Sequence, residues 1–220
     1  MLAAQLAPSL WGLGCSSVYI QSIGLFPSAR MNGIIPHVFG SPPTQGQHPL
    51  ETVLVKKVDS PHNLVETVQW LETFLQSPIG TLGHYRVVVI DSISSICHFH
   101  FTNTRESMME RTAIVKVVSN GLRLLAKKYD LVVVAVNDVI EVSQYEYNSG
   151  SNMIMSNGRK VRPAALGKFW SNNISTRIFL SKTYNNSTGG WDRTISLLSS
   201  PVLENDGCSF IISNAGVVDV

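Results

Sequence analysis

The sequence predicts an α/β fold in which a mostly parallel central sheet is flanked by helices and an antiparallel hairpin lies toward the C-terminus. Two segments, residues 87–90 and 131–136, are apolar at every position, which is typical of parallel strands covered on both faces. Segments with helical periodicity lie between the predicted strands, as in strand–helix–strand units with right-handed crossovers. The last third of the chain instead combines strand-like segments with a turn-rich insert.

The strands are predicted from short segments rich in β-branched residues. Each segment is bounded by glycine, proline, asparagine or aspartate, which commonly end strands. The Asn-Asn-Ser-Thr-Gly-Gly insert at residues 185–190 predicts an antiparallel hairpin that closes one edge of the sheet. The predicted strands are residues 17–20, 52–55, 86–90, 131–136, 174–181, 193–198 and 209–212.

Two packing helices are predicted between these strands. Ser60 and Pro61 form a helix start, because a serine accepts from the first free amides and proline suits the first turn. A longer helix is predicted from about residue 104 to 129. Residues 32–49 contain four prolines and three glycines and predict a surface loop. The inward faces are predicted to be Leu64, Val68, Leu71 and Leu75 in the first helix, and Met108, Ile114, Val115, Val118, Leu122 and Leu125 in the second.

Composition limits the class of protein. With 220 residues, 44% of them apolar, the chain is long enough for one domain with a sizeable core. The formal net charge of +2 is too small to indicate nucleic-acid or membrane binding by itself. Three cysteines without a CxxC pair favour a reducing compartment, nuclear or cytosolic. No apolar segment approaches the roughly twenty residues of a membrane span.

Polar side chains follow the two apolar strands. Asp91 and Ser92 come directly after the first, and Asn137 and Asp138 follow the second. Carboxyl ends of parallel strands meet at one edge of the sheet, where ligands of such folds bind, and an aspartate there commonly holds Mg²⁺. This pattern predicts a site facing a metal and phosphate. The alternative is that these residues only cap the turns after the strands.

The familiar phosphate-binding motifs are missing from this sequence. No GxxxxGK segment is present, and the glycines at residues 12–14 lack both a lysine and a following helix. A dinucleotide fingerprint is excluded as well, because no strand precedes these glycines and no acidic residue occurs before Glu51.

Positive charge is concentrated in one segment. Between Tyr147 and Trp191 the chain has no aspartate or glutamate, whereas Arg159, Lys160 and Arg162 lie within it. Lysine and arginine contact nucleic-acid phosphates, and the nearby Tyr145 and Tyr147 have rings on which bases stack. The segment therefore indicates DNA contact. The alternative is a solvated loop with incidental charge.

Taken together, these segments resemble the ATPase core of the RecA-like recombinase family, most closely the X-ray repair cross-complementing branch of eukaryotic recombinase paralogues. The resemblance covers nearly the whole chain from about Ser17, and the order and spacing of the segments carry it. Residues 18–20 and 26–30 resemble the second core strand and the next helix start, 86–92 the Walker B strand, 131–139 the sensor strand, 162–172 the Pro-Ala-Leu-Gly segment, and 177–180 and 209–217 the closing strands.

The resemblance implies a single RecA-like domain over residues 1–220, located in the nucleus and acting in DNA repair by homologous recombination. Its implied partners are single-stranded or branched DNA and other recombinase paralogues, with no membrane contact. Residues 97–106 and 143–162 correspond to the family's two DNA-binding loops. ATP and Mg²⁺ are implied as cofactors. The implied cofactor residues are Asp91, Ser92, Asn137 and Asp138, with Asp91 at the metal, and the implied DNA contacts are Arg105, Tyr145, Tyr147, Arg159, Lys160 and Arg162.

Three departures from the family pattern bear on ATP hydrolysis. Residues 1–10 resemble the helix that follows the phosphate loop, so the first strand and Walker A loop are expected to be absent. Ser22-Ile23 stands where relatives carry the Thr-Glu pair that activates water, and Asp138 replaces the sensor glutamine. We therefore expect no catalytic residue and little autonomous hydrolysis. The alternative is a DNA-dependent ATPase whose Walker A loop is missing only because the sequence is a fragment.

Overall fold

The computed structural model describes residues 1–40, 48–102, 104–141, 154–156, 159–162, 166–187 and 189–220. Contacts between these residues divide the chain into two compact units, Met1–Asn137 and Asp138–Val220. The single domain over residues 1–220 stays a prediction. Across the described residues, no helix is both long and apolar enough to span a membrane.

The first unit is built on a parallel sheet. Its strands are β1 (Ser16–Gln21), β2 (Val53–Lys57), β3 (Tyr85–Asp91) and β4 (Val132–Ala135), in the order β2-β1-β3-β4. The four strands predicted for this part of the chain are confirmed. The central pair forms the middle of the core, where Val18 and Ile20 of β1 and Val88 and Ile90 of β3 are buried.

One helix precedes the first strand of this sheet, and the other helices of this unit connect its consecutive strands. Ser60 caps helix α3 (Pro61–Gln76) as predicted, because its Oγ accepts from the Asn63 amide at 3.1 Å. The long helix begins after Thr104, whose side chain accepts from the Ser107 amide at 3.3 Å. Both predicted helices are thus confirmed. The helices are α1 (Leu2–Gln5), α2 (Ser28–Phe39), α3 (Pro61–Gln76), α4 (Pro78–Leu82), α5 (Ile93–His100) and α6 (Arg105–Tyr129), with short 3-10 turns at Pro8–Leu10 and Pro49–Thr52.

Two expectations for the helices are wrong. Met108 is 48% exposed rather than inward, because the first buried side chain of α6 is Ile114, more than two turns into the helix. The part of the predicted surface loop from residue 32 to Phe39 is helical instead, with Pro36 inside the helix, whereas residues 41–47 of that loop lie outside the described residues. Ile35 of α2 is buried in the unit, and this packing outweighs the helix-breaking tendency of the proline.

The second unit is antiparallel. The predicted hairpin is confirmed as β8 (Arg177–Asn185) and β9 (Gly190–Ser199). It belongs to a four-stranded antiparallel sheet with β10 (Gly207–Ser213) and β11 (Gly216–Asp219), in the order β11-β10-β9-β8, rather than closing an edge of the parallel sheet. A smaller sheet has the order β5-β7-β6. The elements are β5 (Ile140–Glu141), β6 (Ile154–Ser156), β7 (Arg159–Arg162), α7 (Gly167–Asn173), β8 (Arg177–Asn185), β9 (Gly190–Ser199), β10 (Gly207–Ser213) and β11 (Gly216–Asp219).

Candidate functional site

The carboxyl ends of β1, β3 and β4 bring the predicted residues of the first unit to one edge of the sheet. Gln21 of β1 is in register with Asp91 of β3, and β3 and β4 are parallel neighbours. Beyond the end of β4, the Val136 amide donates to the Ile90 carbonyl at 2.9 Å. Asp91 and Asn137 therefore emerge from adjacent strands at the same edge, as the sequence predicts.

The Asp91 carboxylate is held by a phenol from the neighbouring strand. Tyr19 donates its hydroxyl hydrogen to Oδ2 of Asp91 at 2.6 Å, and the tyrosine is only 7% exposed. Burial, followed by the hydrogen bond to Asp91 and the negative charge of Asp91, raises the pKa of the Tyr19 phenol far above its ordinary value. The phenol therefore stays protonated and remains a donor to the half-buried carboxylate.

The main chain beside this carboxylate is held by Ser22, which follows β1. The Ser22 amide donates to the Asp91 carbonyl at 2.9 Å. Its Oγ donates to the Ser92 carbonyl at 2.9 Å and accepts from the Ser92 amide at 2.6 Å. The peptide between Asp91 and Ser92 is cis. Tyr19 of β1 and Ser22 beyond its end together hold the carboxylate and the chain that carries it.

The residue that caps the next helix is Ser92, not the candidate metal ligand Asp91. Ser92 is the N-cap of α5, because its Oγ accepts from the Ser95 amide at 3.3 Å. The alternative in which Asp91 only caps the next turn is therefore disfavoured. Oδ1 of Asn137 is buried and has no hydrogen-bond partner among the described residues. An unsatisfied buried acceptor costs about 1–3 kcal/mol, so this oxygen is suited to accept from water or a ligand.

The side chains at this edge fit a nucleotide-bound magnesium ion better than a protein-only metal site. Among the described residues, no group of three or more histidine, cysteine, aspartate or glutamate side chains is placed to hold a metal. Mg²⁺ commonly takes one or two carboxylates and completes its shell with phosphate oxygens and water. Tyr19 engages Oδ2 of Asp91, so Oδ1 is the oxygen with which this chain would hold such an ion.

The residues expected to weaken hydrolysis, Ile23 and Asp138, follow β1 and Asn137 in the sequence. Ile23 is 55% exposed in the turn after β1, where the Gln21 side chain donates to the Gly24 carbonyl. A hydrocarbon side chain can neither accept a proton nor orient water. Asp138 is exposed and is the first residue of the second unit.

The first predicted DNA-binding loop is only partly a loop. Residues 97–100 form the end of α5, because Ile93, Ile96 and Cys97 bury one face of that helix. The described residues between α5 and α6 are 101, 102 and 104. Arg105 is the exposed first residue of α6.

The second predicted DNA-binding loop contains regular structure where it is described. The three basic residues Arg159, Lys160 and Arg162 all lie on β7, which pairs with β6 on one side and β5 on the other. Residues 159–162 are therefore a paired strand rather than part of a loop. Tyr145 and Tyr147 lie outside the described residues. Contact of this segment with DNA stays a prediction.

Two contributors to the site, Tyr19 and Ser22, were not singled out as site residues from the sequence. Their contacts join residues 72 and 70 positions apart, respectively. The available signal was weak: a tyrosine near the end of an otherwise buried strand needs a partner for its hydroxyl. Only the β1–β3 register identifies that partner as Asp91.

Comparison with known proteins agrees with this architecture. The Rad51 family model matches residues 1–220. The chain is 26% identical to the DNA repair protein XRCC3 homolog of Arabidopsis thaliana, over 100% of this chain and 80% of that protein. It is also 26% identical to the DNA repair protein XRCC3 of Bos taurus, over 98% of this chain and 62% of the relative, so it spans less than two thirds of the bovine protein. The predicted resemblance to RecA-like recombinases is thus confirmed: the chain belongs to the Rad51 family.

Proposed function

We propose that this protein is a recombinase paralogue that acts in repair of DNA double-strand breaks by homologous recombination. It binds DNA and partner paralogues in the nucleus, and it hydrolyses little ATP on its own. One observation carries the proposal: the strand ends hold Asp91 in a fixed, hydrogen-bonded position, while the adjacent turn presents Ile23 where the family's general base is expected.

Nucleotide binding is supported by the oxygen atoms at the carboxyl edge. Asp91 is the proposed Mg²⁺ ligand. Oδ1 of Asn137, for which the described part of the chain offers no hydrogen-bond partner, is the proposed acceptor for water or a donor on the ligand. When bound with a nucleotide, Mg²⁺ neutralises phosphate charge. ATP and Mg²⁺ are thus proposed as bound cofactors.

Weak hydrolysis is supported by two side chains. General-base assistance typically contributes about 10²–10⁴-fold to a rate, and Ile23 provides none. A carboxylate at Asp138, in place of the sensor amide, opposes the negative charge of the phosphates. Both substitutions affect the chemical step more directly than they affect the placement of Asp91.

DNA binding is supported by the concentration of positive charge on β7. Arg159, Lys160 and Arg162 occupy three of its four positions. The surrounding sequence has no acidic residue from Tyr147 to Trp191. Contacts of lysine and arginine with phosphates release counterions, so the binding should weaken steeply as salt rises.

The test of DNA binding replaces these three residues by alanine in the full-length protein. We expect weaker binding of single-stranded DNA. The slope of the logarithm of the binding constant against the logarithm of the salt concentration should become shallower by about 2, because each lost phosphate contact contributes about 0.7. The matched control replaces Lys116, Arg123 and Lys127, which are exposed on α6, and changes the net charge equally. An equal loss in both triple variants would show that net charge, rather than β7, determines affinity.

A second function rests on the retained Asp91 and Asn137 at the carboxyl edge: a DNA-dependent ATPase. Hydrolysis of ATP by the full-length protein, with and without single-stranded DNA, separates the two. Strong stimulation by DNA would favour the ATPase, whereas nucleotide binding with little turnover favours the paralogue. Copurification with other recombinase paralogues and nuclear imaging of a tagged protein test the remaining parts of the proposal.

A further inference from the structure

The hydrogen bond between Tyr19 and Asp91 is not explained by strand pairing alone. β1 and β3 are already joined along six registered residue pairs. At the same edge, the Ser22 amide donates to the Asp91 carbonyl. The bond from the phenol is therefore an additional contact, and it acts on the carboxylate rather than on the backbone.

We propose that Tyr19 is a positioning residue for the magnesium ion of a bound nucleotide. By donating to Oδ2, it fixes the orientation of the Asp91 carboxylate and leaves Oδ1 for the cation. This inference rests on the proposed nucleotide site and deepens it. It assigns a role in metal affinity to a buried side chain that contributes no metal ligand of its own.

The surroundings of Tyr19 suit this role. Its ring packs edge-to-face against Phe26, with centroids 5.2 Å apart, and it lies on β1, which has a strand on both sides. A buried aromatic side chain with two side-chain torsions is already ordered, so little entropy is lost in presenting the hydroxyl. Ser22 holds the peptide after Asp91 in the same way. The carboxylate is thus restrained at both its oxygen and its main chain.

Hydrogen-bond partners of metal ligands orient the ligand, and their loss commonly lowers metal affinity or activity by about 10- to 100-fold. Without the phenol, the carboxylate regains rotation about its side-chain bonds. Part of the binding free energy of the cation would then be spent in ordering it. Binding of the nucleotide without metal does not use this carboxylate and should not change.

The experiment replaces Tyr19 by phenylalanine in the full-length protein and titrates Mg²⁺ against binding of a fluorescent ATP analogue. We expect the half-saturating Mg²⁺ concentration to rise about 10- to 100-fold, with unchanged analogue binding in EDTA. Tyr129→Phe is the matched control. The Tyr129 hydroxyl accepts a hydrogen bond from the Gln76 side chain at 2.8 Å. Tyr129 is the last residue of α6, which precedes β4, so it does not lie at the carboxyl ends of the strands. This control should leave the titration unchanged.

A double-variant cycle assigns the effect to Asp91. In an Asp91→Asn background, Tyr19→Phe should change the Mg²⁺ titration by less than about twofold, because the carboxylate it orients is gone. If Tyr19→Phe does not fold, Phe26→Leu loosens the packing of the phenol while keeping its hydroxyl. That variant should raise the half-saturating concentration by a smaller factor, and an unchanged titration would overturn the inference.

The remaining outcomes separate this inference from the proposed site. An unchanged Mg²⁺ titration in Tyr19→Phe, with metal-dependent binding intact, overturns the positioning role and leaves the nucleotide site standing. Equal weakening in EDTA and in Mg²⁺ also overturns it, because it reveals a structural role only. Absence of metal-dependent binding by the unaltered full-length protein overturns the proposed site and the inference together.

Discussion

Replacing Ile23 by glutamate tests the proposed reason for weak hydrolysis. A carboxylate at this position provides a proton acceptor that the isoleucine lacks. We expect ATP turnover by the full-length protein to rise by about 10²–10⁴-fold, the usual contribution of a positioned general base. This corresponds to roughly 3–6 kcal/mol of transition-state stabilisation at about 1.4 kcal/mol per tenfold.

The structure also limits the cost of this change to stability. Ile23 is 55% exposed, so slightly under half of its surface is buried. Full burial of an isoleucine side chain contributes about 1.5–3 kcal/mol, so losing this fraction costs about 1 kcal/mol. The fold should tolerate Ile23→Glu, because the exposed turn lets the new carboxylate remain hydrated.

The assay is single-turnover hydrolysis with Mg²⁺ and single-stranded DNA, accompanied by urea unfolding of each variant. Ile23→Gln is the control, because glutamine has nearly the shape of glutamate but is not a general base at neutral pH. If glutamate gives no acceleration while nucleotide still binds, or if glutamine accelerates equally, the missing base is not the reason for slow turnover.

Three further predictions concern the first unit and the cysteines. Ser60→Ala removes the N-cap of α3 and should lower the free energy of unfolding by about 1 kcal/mol in urea titrations, whereas Ser60→Asp should nearly restore it. Leu71→Ala should cost about 2–5 kcal/mol in the same measurement, because this side chain is fully buried, and a loss below 1 kcal/mol would contradict its place in the core. Burial raises the pKa of the Cys97 thiol to about 11, so a disulfide reagent at pH 8 should modify exposed Cys208 first, and Cys97 should react faster as pH rises toward 11; equal rates at pH 8 would contradict this.

The parallel sheet was predictable because burial on two faces leaves a strong local signal. The segments 87–90 and 131–136 are continuous apolar runs, and each is found as a strand of that sheet, with bounds shifted by one or two residues. Helix starts were equally local, since Ser60 and Thr104 bond to amides three residues ahead. Features set within a few residues were therefore read correctly from the sequence.

The errors arose where long-range packing decides the structure. The prolines and glycines of residues 32–49 favour a loop locally, whereas the burial of Ile35 favours a helix that continues through Pro36 to Phe39. Met108 fits the apolar periodicity of α6, yet periodicity does not show where a long helix stops contacting its sheet. The sheet to which the β8–β9 hairpin belongs likewise depends on which strand pairs with β9.

The residues of the candidate site also differ in whether local sequence was enough to predict them. Asp91 and Asn137 were predictable because each only needs to follow a parallel strand to reach the shared edge. Tyr19 and Ser22 were not, because their role requires the register of β1 against β3. Register depends on how both strands pack together, so it cannot be determined from either strand alone.

The proposed binding and hydrolytic functions depend on parts of the chain with different tolerance to change. Tyr19 and Ser92 are buried and bonded across β1 and β3, so a substitution that changes the size of either side chain disturbs the sheet as well as the site. Ile23 is in an exposed turn, where a substitution changes the chemistry at little cost to folding. A chain of this fold can therefore lose its general base while its carboxylate stays in place. This asymmetry makes a nucleotide-binding protein with slow turnover physically reasonable.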